Sequence, residues 1–200
     1  MNIAIIPARG GSKRITHKNI KEFHGKPIIG YSIEAAIASD CFDKVFVSTD
    51  DDEIATVALG FGAEVPFVRP AELSGDFSST VEVIYHAVNW LTDEGFEIDN
   101  VCCIYPTAPL LLAKYIKEGQ KCLENELVQY AFSTTSFSFP IQRAIKLGEN
   151  NTVTMFQPEH QNTRSQDLPE TFHDAGQFYW GKATVFLATN HSLLSTPLPF

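Results

Sequence analysis

Two rhythms of apolar and polar positions run through this chain of 200 residues. Short apolar, largely β-branched runs at residues 3–6, 44–49, 64–68, 101–105 and 129–134 have the length and composition of buried strands. Between them, apolar residues return at helical spacing. Ile29, Ile33, Ala36 and Ile37 line one face of a helix over 29–39. Val83, Ile84, Ala87, Val88 and Leu91 line a second, for which Ser79 or Thr80 is the cap. A third helix is predicted over 113–124. Another starts at the acids Asp50, Asp51, Asp52 and Glu53 and ends at Gly60 and Gly62. Those acids could bind a metal, but favouring the positive end of a helix is the simpler reading. His86 lies off the apolar face beside Ala87 and reads as a surface or internally satisfied histidine.

Strands alternating with helices over the first 130 residues predict a parallel sheet covered on both faces, with ligands bound beyond the strand ends. The pattern then changes. Residues 137–156 hold two short runs around the turn Gly148-Glu149-Asn150-Asn151, a hairpin signature. Residues 157–169 read as loop, and 175–180 and 182–188 return to regular structure. Phe132, Phe137, Phe139 and Phe156 would suit an interface or a core equally well.

The first strand ends at Pro7, and a loop follows in which Gly10, Gly11 and Ser12 lie among Arg9, Lys13, Arg14 and Lys18. Paired glycines allow positive φ, so that consecutive N–H groups can converge on one anion. Arginine adds a planar fork of donors and lysine a mobile point charge. The loop lacks the closing Gly-Lys-Ser/Thr of a P-loop and the Gly-x-Gly-x-x-Gly of a dinucleotide site. Its bland alternative is a solvated basic loop.

Composition sharpens this. Formal net charge is −9, yet four of the 15 Lys and Arg fall between Arg9 and Lys18. An acidic body with one basic mouth suits a small anionic ligand and argues against nucleic acid. No apolar run approaches the ~20 residues of a membrane span, and no signal peptide opens the chain, so a cytoplasmic protein away from membranes is expected. Cys41, Cys102, Cys103 and Cys122 lack metal-ligand spacing and read as reduced core or helix residues.

IPARGGSKRITHKNI resembles the nucleotide-binding signature of the cytidylyltransferases that activate sialic acids and related nine-carbon acidic sugars. VSTDDDEIATVA, RPAELSGDFSST, YPTAP and TRSQDLPETFHDAGQFYWG extend the resemblance in order along most of the chain. It implies an α/β fold: a Rossmann-like three-layer parallel sheet of the nucleotide-diphospho-sugar transferase type. It further implies one domain over 1–200, with a hairpin arm at about 136–170 that packs on a second subunit of a homodimer and covers the sugar.

The implied reaction joins CTP to the anomeric hydroxyl of a keto-acid sugar and releases pyrophosphate. By the same resemblance Arg9, Gly10, Gly11, Ser12 and Lys13 bind the triphosphate. Lys18 strengthens its contact in the transition state, with Arg9 and Lys13 beside it. Asn19 and Arg69 hold the cytidine, with Ser79 or Thr80 nearby. The bland alternative for Arg69 is a surface ion pair with Glu72. Tyr105, Thr107, Gln142, Arg143, Arg164, Gln166, His173, Asp174, Gln177 and Tyr179 make up the sugar pocket, Arg164 as a bidentate partner of the carboxylate. His173 and Asp174 could instead complete a turn and cap the next segment.

Three departures matter. Tyr105 stands where sialic acid enzymes carry Gln, and Gln142 where they carry Lys. Both favour another nine-carbon acid, pseudaminic acid, which FHDAGQFYWG and SFSFPIQRA also suit; sialic acid is the alternative. The family's C-terminal Asp-x-Asp, which binds catalytic Mg²⁺, has no counterpart in a chain ending SLLSTPLPF. Mg²⁺ stays part of the expected chemistry with its protein ligands unknown, and the chain is either truncated or impaired. A nucleotide-binding protein without catalysis is the remaining alternative.

Overall fold

The computed structural model describes residues 1–188. Its elements follow in the order β1 (Asn2–Pro7), β2 (Glu22–Phe23), β3 (Lys26–Pro27), α1 (Ile28–Ser39), β4 (Lys44–Ser48), α2 (Asp52–Gly60), α3 (Thr80–Asp93), β5 (Asn100–Ile104), α4 (Ala113–Cys122), β6 (Tyr130–Ser136), β7 (Ile145–Leu147), β8 (Val153–Met155), β9 (Phe172–Lys182) and α5 (Ala183–Ala188). They fall into two compact units, one of Met1–Ser133 with the chain from Gly176 onward, the other Thr134–Ala175.

In the first unit β1 lies between β4 and β5 in a five-stranded sheet ordered β4-β1-β5-β9-β6. Ile3, Ala4, Ile5 and Ile6 have no exposed surface, as a strand covered on both faces requires. Their alternation divides the core. Ala4 and Ile6 pack with Ile29, Ile33 and Ala36 of α1, Ile54 and Ala58 of α2 and Ile116 of α4. Ile3 and Ile5 pack with Ile84, Ala87, Val88 and Leu91 of α3 and with Ala183 and Phe186 of α5. These are the three layers expected, and the predicted apolar face of α3 is the buried one.

β1 pairs in parallel with β4 on one side and with β5 on the other, Pro7 opposite Ser48 and Ile5 opposite Cys103. The chain therefore leaves β1 for one neighbour and later returns to the other, which opens a crevice past the carboxyl ends of these strands. Helix starts follow the sequence rules. Asp51 accepts from the N–H groups of Glu53 and Ile54, each at 3.0 Å, at the start of α2. Ser79 and Glu82 form a reciprocal capping box at the start of α3.

Two expectations need correction. Residues 64–68 form no strand: Glu64 and Val68 make only isolated parallel bridges to Phe46 and Thr49. Pro66 between them has no N–H for a ladder. The sheet is also not wholly parallel, because β9 enters antiparallel to β5, with Cys102 opposite Trp180. No crossover helix precedes β9, so nothing reverses the chain into a parallel approach. The runs expected at 175–180 and 182–188 lie in β9 and α5, β9 beginning earlier, at Phe172. His173 and Asp174 lie within that strand rather than in the turn that the alternative read from sequence required.

The second unit holds the predicted hairpin, β7 against β8 with Ile145 opposite Met155. Phe139 and Phe156 are exposed there, whereas Phe132 in the first unit is partly buried and stacks on Tyr179, with centroids 6.2 Å apart. The segment SLLSTPLPF lies outside the described residues.

Trp180 anchors the first unit. It is fully buried, stacks on Phe42 at 4.9 Å, and donates from Nε1 to the carbonyl of Ile116 at 3.0 Å. Trp180→Ala empties that volume and removes the indole hydrogen bond, and is expected to cost about 3–5 kcal/mol, read as a shift in urea midpoint.

Candidate active site

The loops that leave β1 and β5 meet the segment from Arg69 to Thr80 in a cleft of about 240 Å³ lined by Arg9, Lys18, Asn19, Arg69, Gly75, Asp76, Thr80, Tyr105 and Thr107. That volume sits just below the ~300 Å³ at which small-molecule sites usually begin. The Gly75–Asp76 segment narrows it.

Each wall is held by the backbone that ends a strand. The Ala8 amide donates to the Ser48 carbonyl at 2.9 Å, joining the exits of β1 and β4. Asn19 is buried, and its Nδ2 donates to the Arg9 carbonyl at 2.9 Å, folding the basic loop back on itself. Its Oδ1 is buried and has no hydrogen-bond partner among the described residues. Ser32 of α1 donates to the Tyr105 carbonyl at 2.8 Å and fixes the exit of β5.

Arg69 is 4% exposed, so the surface ion pair with Glu72 does not form. Its Nε donates to Ser48 Oγ at 3.1 Å and its Nη2 to the Ser48 carbonyl. Burial draws its pKa from 12.5 down to about 10; Asp50 opposes that and Arg9 adds to it. The guanidinium is still charged at neutral pH and keeps N–H groups for an anion or a carbonyl.

The glycine loop differs from expectation. Neither Gly10 nor Gly11 takes a positive φ; His17 does, just before Lys18. The Gly10 amide donates to Asp50 Oδ1 at 3.0 Å and the Ser12 amide to the Gly10 carbonyl at 2.8 Å. These amides therefore serve the loop, and the positive potential comes from side chains. Gly10 is required for another reason. A Cβ there would come within 2.4 Å of Asp51 Oδ2, the carboxylate that caps α2.

Among the cations, Arg9 Nη2 lies 3.0 Å and Lys13 Nζ 2.5 Å from Asp76, and Arg9 Nη1 donates to the Gly75 carbonyl. Lys18 lines the cleft and, among the described residues, pairs with no carboxylate. Of the two hydroxyl candidates, Ser79 is used by the capping box while Thr80 lines the cleft. Among the described residues no three His, Cys, Asp or Glu side chains gather into a metal-binding group. Asp50, Asp51 and Asp76 are each committed to loop or cap contacts, so these residues do not fit a protein-held metal.

The residues expected at the sugar are divided between the two units. Tyr105, Thr107, Gln177 and Tyr179 are in the first. Tyr105 packs on Tyr179 at 5.3 Å, and the Tyr105 amide donates to the Gln177 carbonyl at 2.9 Å. Gln142, Arg143, Arg164, Gln166, His173 and Asp174 are in the second. There Gln142 is buried and donates to the Pro169 carbonyl at 3.1 Å, and Arg143 donates to the Thr163 carbonyl at 3.0 Å. Arg164 already makes a bidentate pair with Asp167, at 2.6 and 3.2 Å. His173 Nδ1 lies 2.9 Å from the Asp174 carbonyl. Gln166 sits in a short 3-10 turn, Ser165–Asp167.

Sequence reading missed Ser48, Asp50, Gly75 and Asp76. An acid beside a glycine just before a serine-rich helix cap was the available signal for Asp76. Its pairing with cations more than 60 residues away in sequence (Arg9 and Lys13) was not in any local pattern.

A mostly parallel sheet whose strand ends gather arginine, lysine and a buried amide around one cleft defines a nucleotide-binding α/β protein. The chain belongs to the cytidylyltransferase family, whose sequence profile matches residues 3–197. It is 49% identical over 187 residues to pseudaminic acid cytidylyltransferase of Campylobacter jejuni, covering 93% of this chain and 80% of that protein. Identity to N-acylneuraminate cytidylyltransferase of Escherichia coli is 33% over 190 residues, 94% of this chain and 44% of that one. The fold matches CMP:2-keto-3-deoxy-manno-octonic acid synthetase, solved with CTP, at a TM-score of 0.68 and 18% identity, covering 92% of this chain and 75% of that one.

His86 is not the satisfied histidine expected. Its Nδ1 is buried without a hydrogen-bond partner among the described residues, and its ring meets Phe67 edge-on at 5.1 Å. Burial, then the charge of Arg69, holds its pKa below 6.5, with Glu72 opposing. The unfolded chain therefore takes up this proton first as pH falls, and stability present above 6.5 is lost below it. His86→Gln is expected to reduce the fall in urea midpoint between about pH 7 and about pH 5.

Proposed function

We propose that the chain transfers CMP from CTP to the anomeric hydroxyl of pseudaminic acid, releasing pyrophosphate. The observation that carries this reading is the 49% identity to the Campylobacter jejuni enzyme across 93% of the chain. The cleft chemistry is consistent with it. Tyr105, in place of the Gln of sialic acid enzymes, packs on Tyr179 and offers an aromatic wall where a glutamine would offer an amide.

The sugar hydroxyl oxygen attacks the α-phosphorus in line. The new P–O bond forms as the bond to the β-phosphate breaks, and pyrophosphate leaves with the electron pair. The hydroxyl proton passes to solvent. This chain's residues bind and orient. Arg9 and Lys13 meet the outer phosphates, with the Gly10–Ser12 turn shaping the loop that carries them. Lys18, which pairs with no carboxylate among the described residues, follows the charge growing on the leaving oxygen. The buried Oδ1 of Asn19 accepts from a donor of the cytidine, Arg69 donates to it, and Thr80 closes that end.

For the sugar carboxylate and acyl groups the candidates are Thr107, Gln177 and Tyr179 in the first unit, and Gln142, Arg143, Arg164, Gln166, His173 and Asp174 in the second. Arg164 must exchange Asp167 for the substrate in that scheme. Mg²⁺ belongs to the proposal as a companion of the triphosphate, and no step above is routed through it. A homodimer joined through the Thr134–Ala175 arm, whose Phe139, Leu147, Phe156 and Phe172 are exposed, and a cytoplasmic location complete the reading.

The test is pyrophosphate release from CTP with pseudaminic, sialic and eight-carbon keto acids in competition. Pseudaminic acid is expected to give the highest kcat/KM; a preference for sialic acid overturns the substrate, and CTP binding without turnover overturns the enzyme. In the same assay Lys18→Ala is expected to lower kcat by about 10²-fold with little change in KM.

A further inference from the structure

We propose that Asp76 is a built-in counter-ion, holding the phosphate-binding cations of the ligand-free protein until the triphosphate displaces it. The proposal rests on the reading of this cleft as the triphosphate site. One carboxylate receives two cations of the basic loop, Arg9 at 3.0 Å and Lys13 at 2.5 Å. Arg9 also grips the neighbouring Gly75 carbonyl, so the segment beside Asp76 is tied to the phosphate loop at two successive residues. Both Gly75 and Asp76 line the cleft. Lys13's ammonium, then the charge of Arg9, holds the Asp76 carboxyl below its usual range, so it is an anion throughout the neutral range.

A carboxylate on the same cations occupies the place that phosphate oxygens need. Two anions cannot share those donors at short range without repulsion, so nucleotide entry must move Asp76. Little else holds the segment. Phe77 is fully exposed, and Ser78 contributes one hydrogen bond, to the Glu72 carbonyl at 3.0 Å. The exchange lowers affinity for every polyphosphate alike, substrate and product. When the transfer is complete, Asp76 recaptures Arg9 and Lys13 as pyrophosphate departs. It is thus a positioning residue of the resting state, and its absence should tighten ligands rather than loosen them.

Calorimetric titration of the full chain with inorganic pyrophosphate and with CTP tests this in wild type, Asp76→Asn and Asp76→Glu. The asparagine variant is expected to bind both ligands roughly 3- to 10-fold more tightly, with KM for CTP falling and kcat unchanged or lower. Asp76→Glu, which keeps the charge, is expected to stay near wild type. Unchanged or weaker binding in Asp76→Asn overturns the proposal and leaves Asp76 as a support for the cations. Equal tightening in Asp76→Glu overturns it too, since charge would not be the cause. If wild type binds neither ligand, the phosphate reading of the cleft falls, and this inference with it.

Discussion

A strand buried on both faces can carry no charge, and the rest of the molecule follows from that. Ile3–Ile6 have no contact with solvent, and an unpaired cation or carboxylate within them would meet a desolvation cost of several kcal/mol. Polar chemistry can therefore begin only where β1 stops. Pro7 stops it and its parallel neighbour β5 ends at the same edge, where the segment starting at Arg69, its amide bonded to the Thr49 carbonyl just past β4, joins the two loops. The position of the cleft follows from the burial of a strand paired on both sides.

At that edge the protein concentrates positive charge that an acidic chain elsewhere lacks. Concentrated cations repel one another, and the structure answers with its own anions and carbonyls: Asp50 on the Gly10 amide, Ser48 on Arg69, Asp76 on Arg9 and Lys13. Within the cleft, Lys18 and the buried Oδ1 of Asn19 are left without such an answer among the described residues. A folded chain tolerates an unsatisfied buried acceptor most readily where a ligand supplies the missing donor. This division between groups held in reserve and groups left open separates the parts that shape the site from the parts that meet substrate.

Membership of the cytidylyltransferase family links this arrangement to chemistry that asks more for positioning than for a single acid or base. A phosphoryl centre under in-line attack needs cations, fixed distances and exclusion of water. Buried hydrogen bonds such as Ser32 to the Tyr105 carbonyl and Asn19 to the Arg9 carbonyl set those distances. They lie behind the reacting groups and decide where the reacting groups stand.

Much was legible in the sequence because the forces involved are local. Alternation along 3–6 fixes which residues face which helix layer, helical spacing in α3 fixes its buried face, and Asp51 and Ser79 cap their helices from within the same turn. The cluster of Arg9, Lys13 and Lys18 is likewise visible as charge in a row. What only the tertiary structure decided involves partners far apart in the chain. Residues 64–68 read as a strand but meet no continuous ladder, β9 inserts antiparallel where alternation cannot report direction, and Gly10 is needed for the approach of Asp51 rather than for a left-handed backbone. Arg69 is buried against Ser48, and Asp76 closes on cations from the opening loop. Local pattern records which groups a residue can satisfy; which group arrives is set by the packing of the whole sheet, since each long-range contact forms only when the layers around it are in place.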